Sequence, residues 1–197
     1  MAETFRWGIL GSANIVVITW AAIRNSGNGV VAAVASRDAA KAQRFIDECQ
    51  GEVPFDEAPR AIGGYDEMIA ADDLDAIYVP LPTGMRKEWV VKAANAGKHV
   101  MCEKPCAIDS ETLEAMTLAC AANNVQFMDG VMYMHSDRMP KLREALDNPE
   151  NVGEIRRIAS AFSFCAPPEF FGENIRGSSE LEPAGALGNS GWYTIRA

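Results

Sequence analysis

The chain has 197 residues, 48% hydrophobic and 23% charged, which indicates a globular protein with one full domain and part of another. Its 27 acidic residues outnumber its 18 basic residues, and the formal net charge is −9. Since Lys and Arg are not clustered, nucleic acid and anionic membrane are poor partners, and no apolar run reaches the length of about 20 residues that spans a bilayer.

The five cysteines are odd in number and scattered along the chain, which argues against a disulfide framework and favours a reducing, cytoplasmic compartment. Residues 1–6 show no signal-peptide pattern. Cys102 and Cys106 have a spacing that could suggest a metal site, but no second cysteine pair or histidine pair completes it. We interpret both as small packing residues and expect no metal.

The first predicted strand, Phe5 to Leu10, leads through Gly11-Ser12-Ala13-Asn14 into a helix from about Ile15 to Arg24. A glycine-containing turn at a helix start offers free backbone N–H groups to a pyrophosphate. Ala13 and Val16 occupy the places of the second and third glycines of the dinucleotide fingerprint. The same residues therefore also fit an ordinary strand-to-helix turn.

The second predicted strand, Val30 to Ala35, ends in Ser36-Arg37-Asp38, and a helix follows from Ala39 to Cys49. In dinucleotide-binding folds an acidic residue at this strand end holds the ribose 2′-hydroxyl, whereas an arginine accommodates a 2′-phosphate. Arg37 therefore favours NADP. The alternative is that Arg37 is a solvated residue at a helix start and Asp38 the helix N-cap.

Residues 51–64 predict a short edge strand and a loop, and a short helix follows from Tyr65 to Ala71. A buried strand, Ala76 to Val79, then stops where Pro80 and Pro82 begin. Thr83 can cap the next helix, which Gly97 would end. The apolar side of that helix is formed by Trp89, Val90, Ala93 and Ala94.

The next strand, His99 to Cys102, is broken at once by Glu103-Lys104-Pro105. Two parallel strands joined by a crossover helix end at the same edge of a sheet, where ligands bind in open α/β folds. Lys104 is therefore predicted to lie at the chemical edge, although position alone also fits a plain loop lysine. A helix from Glu111 to Ala122, capped by Asp109 or Ser110, and a sixth strand, Val125 to Met128, complete a doubly wound parallel sheet.

Residues after the sixth predicted strand do not continue the alternation of strands and helices. A helix is predicted around Met139 to Leu146, and Ile155 to Phe164 alternates in the manner of a long strand with one buried face. The chain is loop-like after Cys165 and closes with the start of a helix in Gly185 to Tyr193. A single strand cannot make a sheet, so we expect this part to be incomplete or its edge to be covered by a partner.

The segment YVPLPTGMRKEWVVKAANAGKHVMCEKP resembles the Gfo/Idh/MocA family, which includes glucose-fructose oxidoreductase, dimeric dihydrodiol dehydrogenase and NADP-dependent D-xylose dehydrogenase. The likeness is most specific at Glu103-Lys104-Pro105 and at Gly185 to Tyr193. It implies an α/β fold with a Rossmann-type doubly wound parallel sheet in residues 1–128. It implies a partial α+β domain for substrate binding and oligomerisation in residues 129–197, whose later antiparallel strands would follow Ala197, and a homo-oligomer once that domain is complete.

The resemblance also implies a site. Lys104 corresponds to the family lysine beside the nicotinamide and the substrate hydroxyl, and Tyr193 to the acid/base residue. NADP, in preference to NAD, would bind Gly8, Gly11, Ser12, Ala13, Asn14, Ile15, Ser36, Arg37, Pro80, Leu81, Pro82, Thr83, Glu103 and Lys104. The substrate would contact Tyr133, His135 and Asn189, although packing and loop roles fit Tyr133 and His135 as well.

The implied function is an NADP-dependent oxidoreductase that transfers hydride between nicotinamide and a hydroxyl group of a sugar, such as the aldose xylose, or of a trans-dihydrodiol. Asn189 stands where the family usually has an aspartate, and its neutral amide cannot act as a base or counter-ion. A catalytically impaired NADP(H)-binding sensor or scaffold is therefore an alternative. A methyltransferase on a similar fold is a further rival, against which Glu103-Lys104-Pro105 argues.

Overall fold

The computed structural model describes residues 3–165, 167, 168, 170 and 178–196. The chain divides into two compact units, residues 1–129 and residues 130–197. Among the described helices, none is both long and apolar enough to cross a membrane.

The first unit is built on a six-stranded parallel sheet in the order β3-β2-β1-β4-β5-β6. Its strands are β1 (Phe5–Leu10), β2 (Gly29–Ser36), β3 (Arg60–Gly63), β4 (Ala76–Val79), β5 (His99–Cys102) and β6 (Phe127–Asp129). The chain winds outward in both directions from the central pair β1 and β4, which is the Rossmann topology with its switch point between those strands. The predicted fold class is confirmed for this unit.

Helices connect the successive parallel strands, and in a doubly wound sheet such helices lie on both faces. They are α1 (Ile15–Asn25), α2 (Ala39–Glu52), α3 (Tyr65–Ile69), α4 (Arg86–Asn95) and α5 (Ser110–Ala122). One core cluster joins α1 and α2 to the central strands through Ile9, Val16, Trp20, Val34, Ile46 and Tyr78. Val16 is fully buried in this cluster, so a branched side chain at the third fingerprint position fits the packing between helix and sheet.

Local signals fix several helix ends as predicted. The Asp38 carboxylate accepts a hydrogen bond from the backbone N–H of Ala40 at the start of α2, and Asp109 accepts one from Thr112 at the start of α5. Gly97 adopts a φ of +73° directly after α4, as a helix-terminating glycine should. Thr83 does not cap α4, because it begins a 3₁₀ turn, Thr83–Met85, that precedes the helix.

The second unit contains a 3₁₀ turn (Met132–His135), α6 (Arg138–Asp147), a π-helical turn (Leu187–Gly191) and α7 (Trp192–Arg196). The prediction of a strand over Ile155 to Phe164 is wrong, because residues 155–165 form neither helix nor strand. Ile158 is 82% exposed, and Phe162 and Phe164 are about half exposed. Alternation alone does not make a strand: no strand forms among the described residues after 129, and extended backbone without a neighbour gains no ladder hydrogen bonds.

Candidate active site

The central feature of the site is the glycine turn between β1 and α1. Gly11 has a φ of +99°, and its N–H donates to the carbonyl of Ala35 in β2 at 2.7 Å. A Cβ at Gly11 would lie 3.4 Å from Leu81 Cδ2 and 3.6 Å from the Tyr65 hydroxyl. The turn after β1 therefore lies directly against the loop after β4, at the switch point of the sheet.

The start of α1 is suited to an anion. No side chain caps it, and Asn14, the N-cap residue, is exposed together with Ile15. Uncapped N–H groups and the positive end of the helix dipole are what a pyrophosphate needs. Ser12 and Ala13 are half-buried beside this end, which fits their predicted role as cofactor contacts.

Gly8 has a different reason to be glycine. It lies within β1, and a Cβ there would come within 2.8 Å of Leu74 Cδ1 and Met68 Sδ and 3.0 Å of Ile77 Cδ1. All three neighbours are buried core residues. A side chain therefore has no room at this position of β1, and the contact between Gly8 and the cofactor stays a prediction.

The residues expected to contact the 2′-hydroxyl or 2′-phosphate of the cofactor ribose lie at the end of β2. Ser36 is buried, and Arg37 is exposed immediately after it. Asp38 is occupied as the N-cap of α2. Burial raises the pKa of Tyr65, and the positive charge of Arg37 partly opposes that rise. Arg37 is thus exposed where a 2′-phosphate would need it, and Asp38 is the helix N-cap that the alternative interpretation expects.

The turn that carries Lys104 is held at the end of β5. The Glu103 N–H donates to the carbonyl of Val79 at the end of β4, at 3.2 Å. The Tyr78 hydroxyl donates to Glu103 Oε1 at 2.8 Å, and the Lys104 N–H donates to Glu103 Oε2 at 3.2 Å. Burial, together with the charge of Glu103, raises the pKa of Tyr78, so its hydroxyl remains a donor. Lys104 is partly exposed and precedes a cis peptide bond to Pro105.

Buried side chains surround this turn. Pro80, Leu81 and Thr83 of the loop after β4 are buried, and Pro82 is half-buried. Cys102 and Cys106 are buried free thiols, and a side-chain hydrogen bond with Cys102 together with burial raises the pKa of Cys106. A neutral buried thiol is a poor metal ligand or nucleophile, which agrees with a packing role.

Two buried groups at this edge are absent from the sequence prediction. Arg86 is 5% exposed and donates to the backbone carbonyls of Leu81, Glu103 and Pro105. Tyr78 is fully buried and orients Glu103. The spacing of Arg86 before Trp89 and Val90 puts a cation on the apolar side of α4, and this is a signal that could have revealed it.

In the second unit the structure brings Tyr133 and Tyr193 together. The Tyr133 hydroxyl donates to the backbone carbonyl of Tyr193 at 3.1 Å, and their ring centroids are 6.2 Å apart. Phe162 stacks on Tyr193 with centroids 4.8 Å apart. Asn189 lies in the π-helical turn before Tyr193, and His135 is exposed. Tyr133 therefore supports the backbone of the predicted acid/base residue.

The family model for an oxidoreductase family with an NAD-binding Rossmann fold, Gfo/Idh/MocA, matches residues 5–131. The chain belongs to this family. The Gfo/Idh/MocA relatives include a dTDP-3,4-didehydro-2,6-dideoxy-alpha-D-glucose 3-reductase from Saccharopolyspora spinosa, 33% identical over 100% of this chain and 56% of the relative. They also include an NADP-dependent D-xylose 1-dehydrogenase from Haloferax volcanii, 32% identical over 97% of this chain and 55% of the relative.

Solved structures agree with this family. Part of the chain superposes on a 3-ketoreductase from Actinomadura kijaniata in complex with NADP, with a TM-score of 0.67 and 32% identity over 78% of this chain and 47% of that protein. A mutant of the same reductase with TDP-benzene and NADP gives a TM-score of 0.77 at 30% identity, over 91% of this chain and 52% of that protein. The chain spans about half the length of the curated relatives it matches.

Proposed function

We propose that this chain acts as an NADP-dependent oxidoreductase that transfers hydride between nicotinamide and a hydroxyl group of a sugar, such as the aldose xylose, or of a trans-dihydrodiol. The observation that carries the proposal is the Glu103-Lys104-Pro105 turn at the carboxyl end of β5, beside the switch point of a Rossmann sheet. Ligands of open α/β sheets bind at that edge. Reductases of sugar nucleotides and an NADP-dependent xylose dehydrogenase among the relatives support a sugar as the substrate class.

The residues present fit NADP. The uncapped N-terminus of α1 after Gly11 suits the pyrophosphate, and exposed Arg37 suits the 2′-phosphate. Asp38, which would favour the 2′-hydroxyl of NAD, is engaged in capping α2. When bound, NADP supplies the nicotinamide that accepts or returns the hydride.

The chain's own residues would handle the proton and the charge. The Lys104 amine can donate a hydrogen bond to the substrate oxygen and so lower the cost of alkoxide character when the substrate is oxidised. Tyr193 is the proposed proton acceptor, with Tyr133 holding its backbone. Glu103 holds the Lys104 backbone rather than the substrate, because its two oxygens are engaged by Tyr78 and by the Lys104 N–H.

One observation favours a second candidate function. Asn189, a neutral amide four residues before Tyr193, stands where the family resemblance implies an aspartate. A protein that keeps the nucleotide-binding unit but has lost turnover would act as an NADP(H)-dependent sensor or scaffold. This candidate requires NADPH binding without reaction.

The test is a turnover assay on the purified chain with NADP and, in turn, xylose, glucose and a trans-dihydrodiol, followed through the absorbance of the reduced nicotinamide. Lys104→Met is the test variant, and Lys87→Met, an exposed cation on α4, is the matched control. Turnover that survives in Lys87→Met and disappears in Lys104→Met supports the enzyme. NADPH binding without turnover supports the sensor, and binding of S-adenosylmethionine without NADPH binding would overturn both.

A further inference from the structure

Arg86 occupies an unusual place for an arginine. It is the first residue of α4, and it falls at helical spacing on the same side as the buried residues Trp89, Val90, Ala93 and Ala94. Only 5% of the residue is exposed to solvent. Arginine is seldom buried to this degree unless its donors are all used.

The guanidinium joins two loops. Its Nε donates to the carbonyl of Leu81 at 2.6 Å, in the loop after β4. Its Nη1 donates to the carbonyl of Glu103 at 2.7 Å and also to that of Pro105, in the turn after β5. The two acceptors in the second loop are the carbonyls of the residues on either side of Lys104. One rigid planar group therefore fixes the backbone on both sides of the lysine.

Among the described residues, Arg86 forms no ion pair with a carboxylate. The ion pairs of the described residues are instead formed by Arg6, Arg24, Arg60, Lys92 and Arg156. A guanidinium stays protonated, so its burial is stabilised by the three carbonyl dipoles instead. A hydrophobic residue could fill the same volume at lower cost in desolvation, which indicates a specific need for the three donors at this position.

We propose that Arg86 is a positioning residue, which ties the Lys104 turn to the loop at 80–83 so that the lysine amine stays at the nicotinamide. This inference rests on the proposed function, because it assigns Arg86 a role in the same site. Lys cannot replace Arg here, since an ammonium group on a flexible stem does not span carbonyls on two loops in a fixed plane. Loss of the guanidinium should leave NADP bound but let the Lys104 turn move away.

The experiment measures how strongly NADPH protects the Lys104 amine from acetylation by acetic anhydride, read by peptide mass spectrometry with exposed Lys41 as the internal reference. With NADPH at about ten times its Kd, bound cofactor should slow labelling of Lys104 in the wild-type chain about tenfold. In Arg86→Met we expect NADPH affinity to stay within about threefold, while protection of Lys104 falls to about twofold or less. Lys87→Met should behave as the wild type.

The comparison separates this inference from the proposed function. Full protection of Lys104 in an Arg86→Met chain that binds NADPH would overturn the positioning role and leave the function intact. A wild-type chain that does not bind NADPH would overturn the proposed function and this inference with it. If protection and affinity fall together, Arg86 is merely structural, and the inference is again overturned.

A second variant covers the case in which Arg86→Met does not fold. Arg86→Lys keeps a buried cation but loses the planar guanidinium with its three bonded N–H groups. We expect this variant to bind NADPH and to show partial protection: NADPH should slow acetylation of Lys104 by less than in the wild type but still measurably. Full protection in Arg86→Lys would show that charge alone suffices and would contradict the argument from the three carbonyls.

Discussion

Replacing Tyr78 by Phe removes one hydroxyl from the core of the first unit. Tyr78 is fully buried, and this hydroxyl donates to Glu103 Oε1 at 2.8 Å. A hydrogen bond from Thr19 lowers the pKa of Tyr78, so a second polar group also meets the same oxygen. Phe fills the ring volume, so the variant tests the hydrogen bonds rather than the packing.

The expected cost follows from the charge of the acceptor. A hydrogen bond to a charged group contributes about 1.5–3 kcal/mol, and its loss leaves Glu103 Oε1 without its buried donor. We therefore expect the free energy of unfolding to fall by about 2 kcal/mol, which for a chain of this length lowers Tm by about 4–8 °C.

Tyr65→Phe is the matched control. Tyr65 is half-buried beside the Gly11 turn, and among the hydrogen bonds formed by described residues none involves its hydroxyl. Its loss should change the free energy of unfolding by less than about 0.5 kcal/mol.

Urea denaturation followed by tryptophan fluorescence is the assay, since Trp7, Trp20 and Trp89 all lie in the first unit. A loss of stability in Tyr78→Phe no larger than that in Tyr65→Phe would refute the argument that the Tyr78 hydroxyl holds Glu103.

Three further predictions test the site and the stability of the sheet. Lys104→Met should lower kcat by about 10²–10⁴-fold without changing the urea midpoint, and near-normal steady-state rates would remove Lys104 from the chemistry. Arg37→Ala should weaken NADPH binding about tenfold and leave NADH binding unchanged in a fluorescence titration, whereas an equal loss for both would refute a contact with the 2′-phosphate. The hydrogen bond from Arg60 lowers the pKa of Asp73 to about 2, so this carboxylate stabilises the fold above its unfolded pKa near 4, and the effect is lost as pH falls through about 2. Asp73→Asn should therefore cost about 1 kcal/mol or less at neutral pH, since the pair is solvent-screened, and a difference from wild type in urea denaturation that is as large at about pH 2 as at neutral pH would contradict this assignment.

The sequence predicts the first unit well because its signals are local. The buried strands Ala76–Val79 and His99–Cys102 have the predicted bounds, and Asp38 and Asp109 are caps as their positions indicate. Alternation of such strands with amphipathic helices specifies a parallel doubly wound sheet, because right-handed crossovers leave few other arrangements.

The sequence fails where structure depends on distant partners. Ile155 to Phe164 has the period of a strand, but pairing needs a neighbouring strand that the described part of the second unit does not contain. Gly8 is a similar case. Its place in a glycine pattern is visible in the sequence, but the lack of room for a side chain is not, because Met68 and Leu74, which a Cβ would meet, lie about 60 residues later.

The sequence predicts where the Lys104 turn lies in the sheet, but it does not predict which side chains hold that turn in place. Glu103-Lys104-Pro105 is a recognisable motif, and its position after a short strand predicts the edge at which it lies. Tyr78 and Arg86 hold this turn. In the sequence, however, Tyr78 reads only as a strand residue and Arg86 only as a helix residue. Only the folded structure shows that they converge on the same backbone. The assignments of Lys104 and Tyr193 to catalysis stay predictions.

The most direct test of the account is a fluorescence titration of the purified chain with NADPH and, separately, with NADH. The account predicts saturable NADPH binding that is clearly tighter than NADH binding, because Arg37 is exposed at the end of β2 while Asp38 caps α2. Absence of NADPH binding would contradict the central claim that the switch point between β1 and β4 is a dinucleotide site.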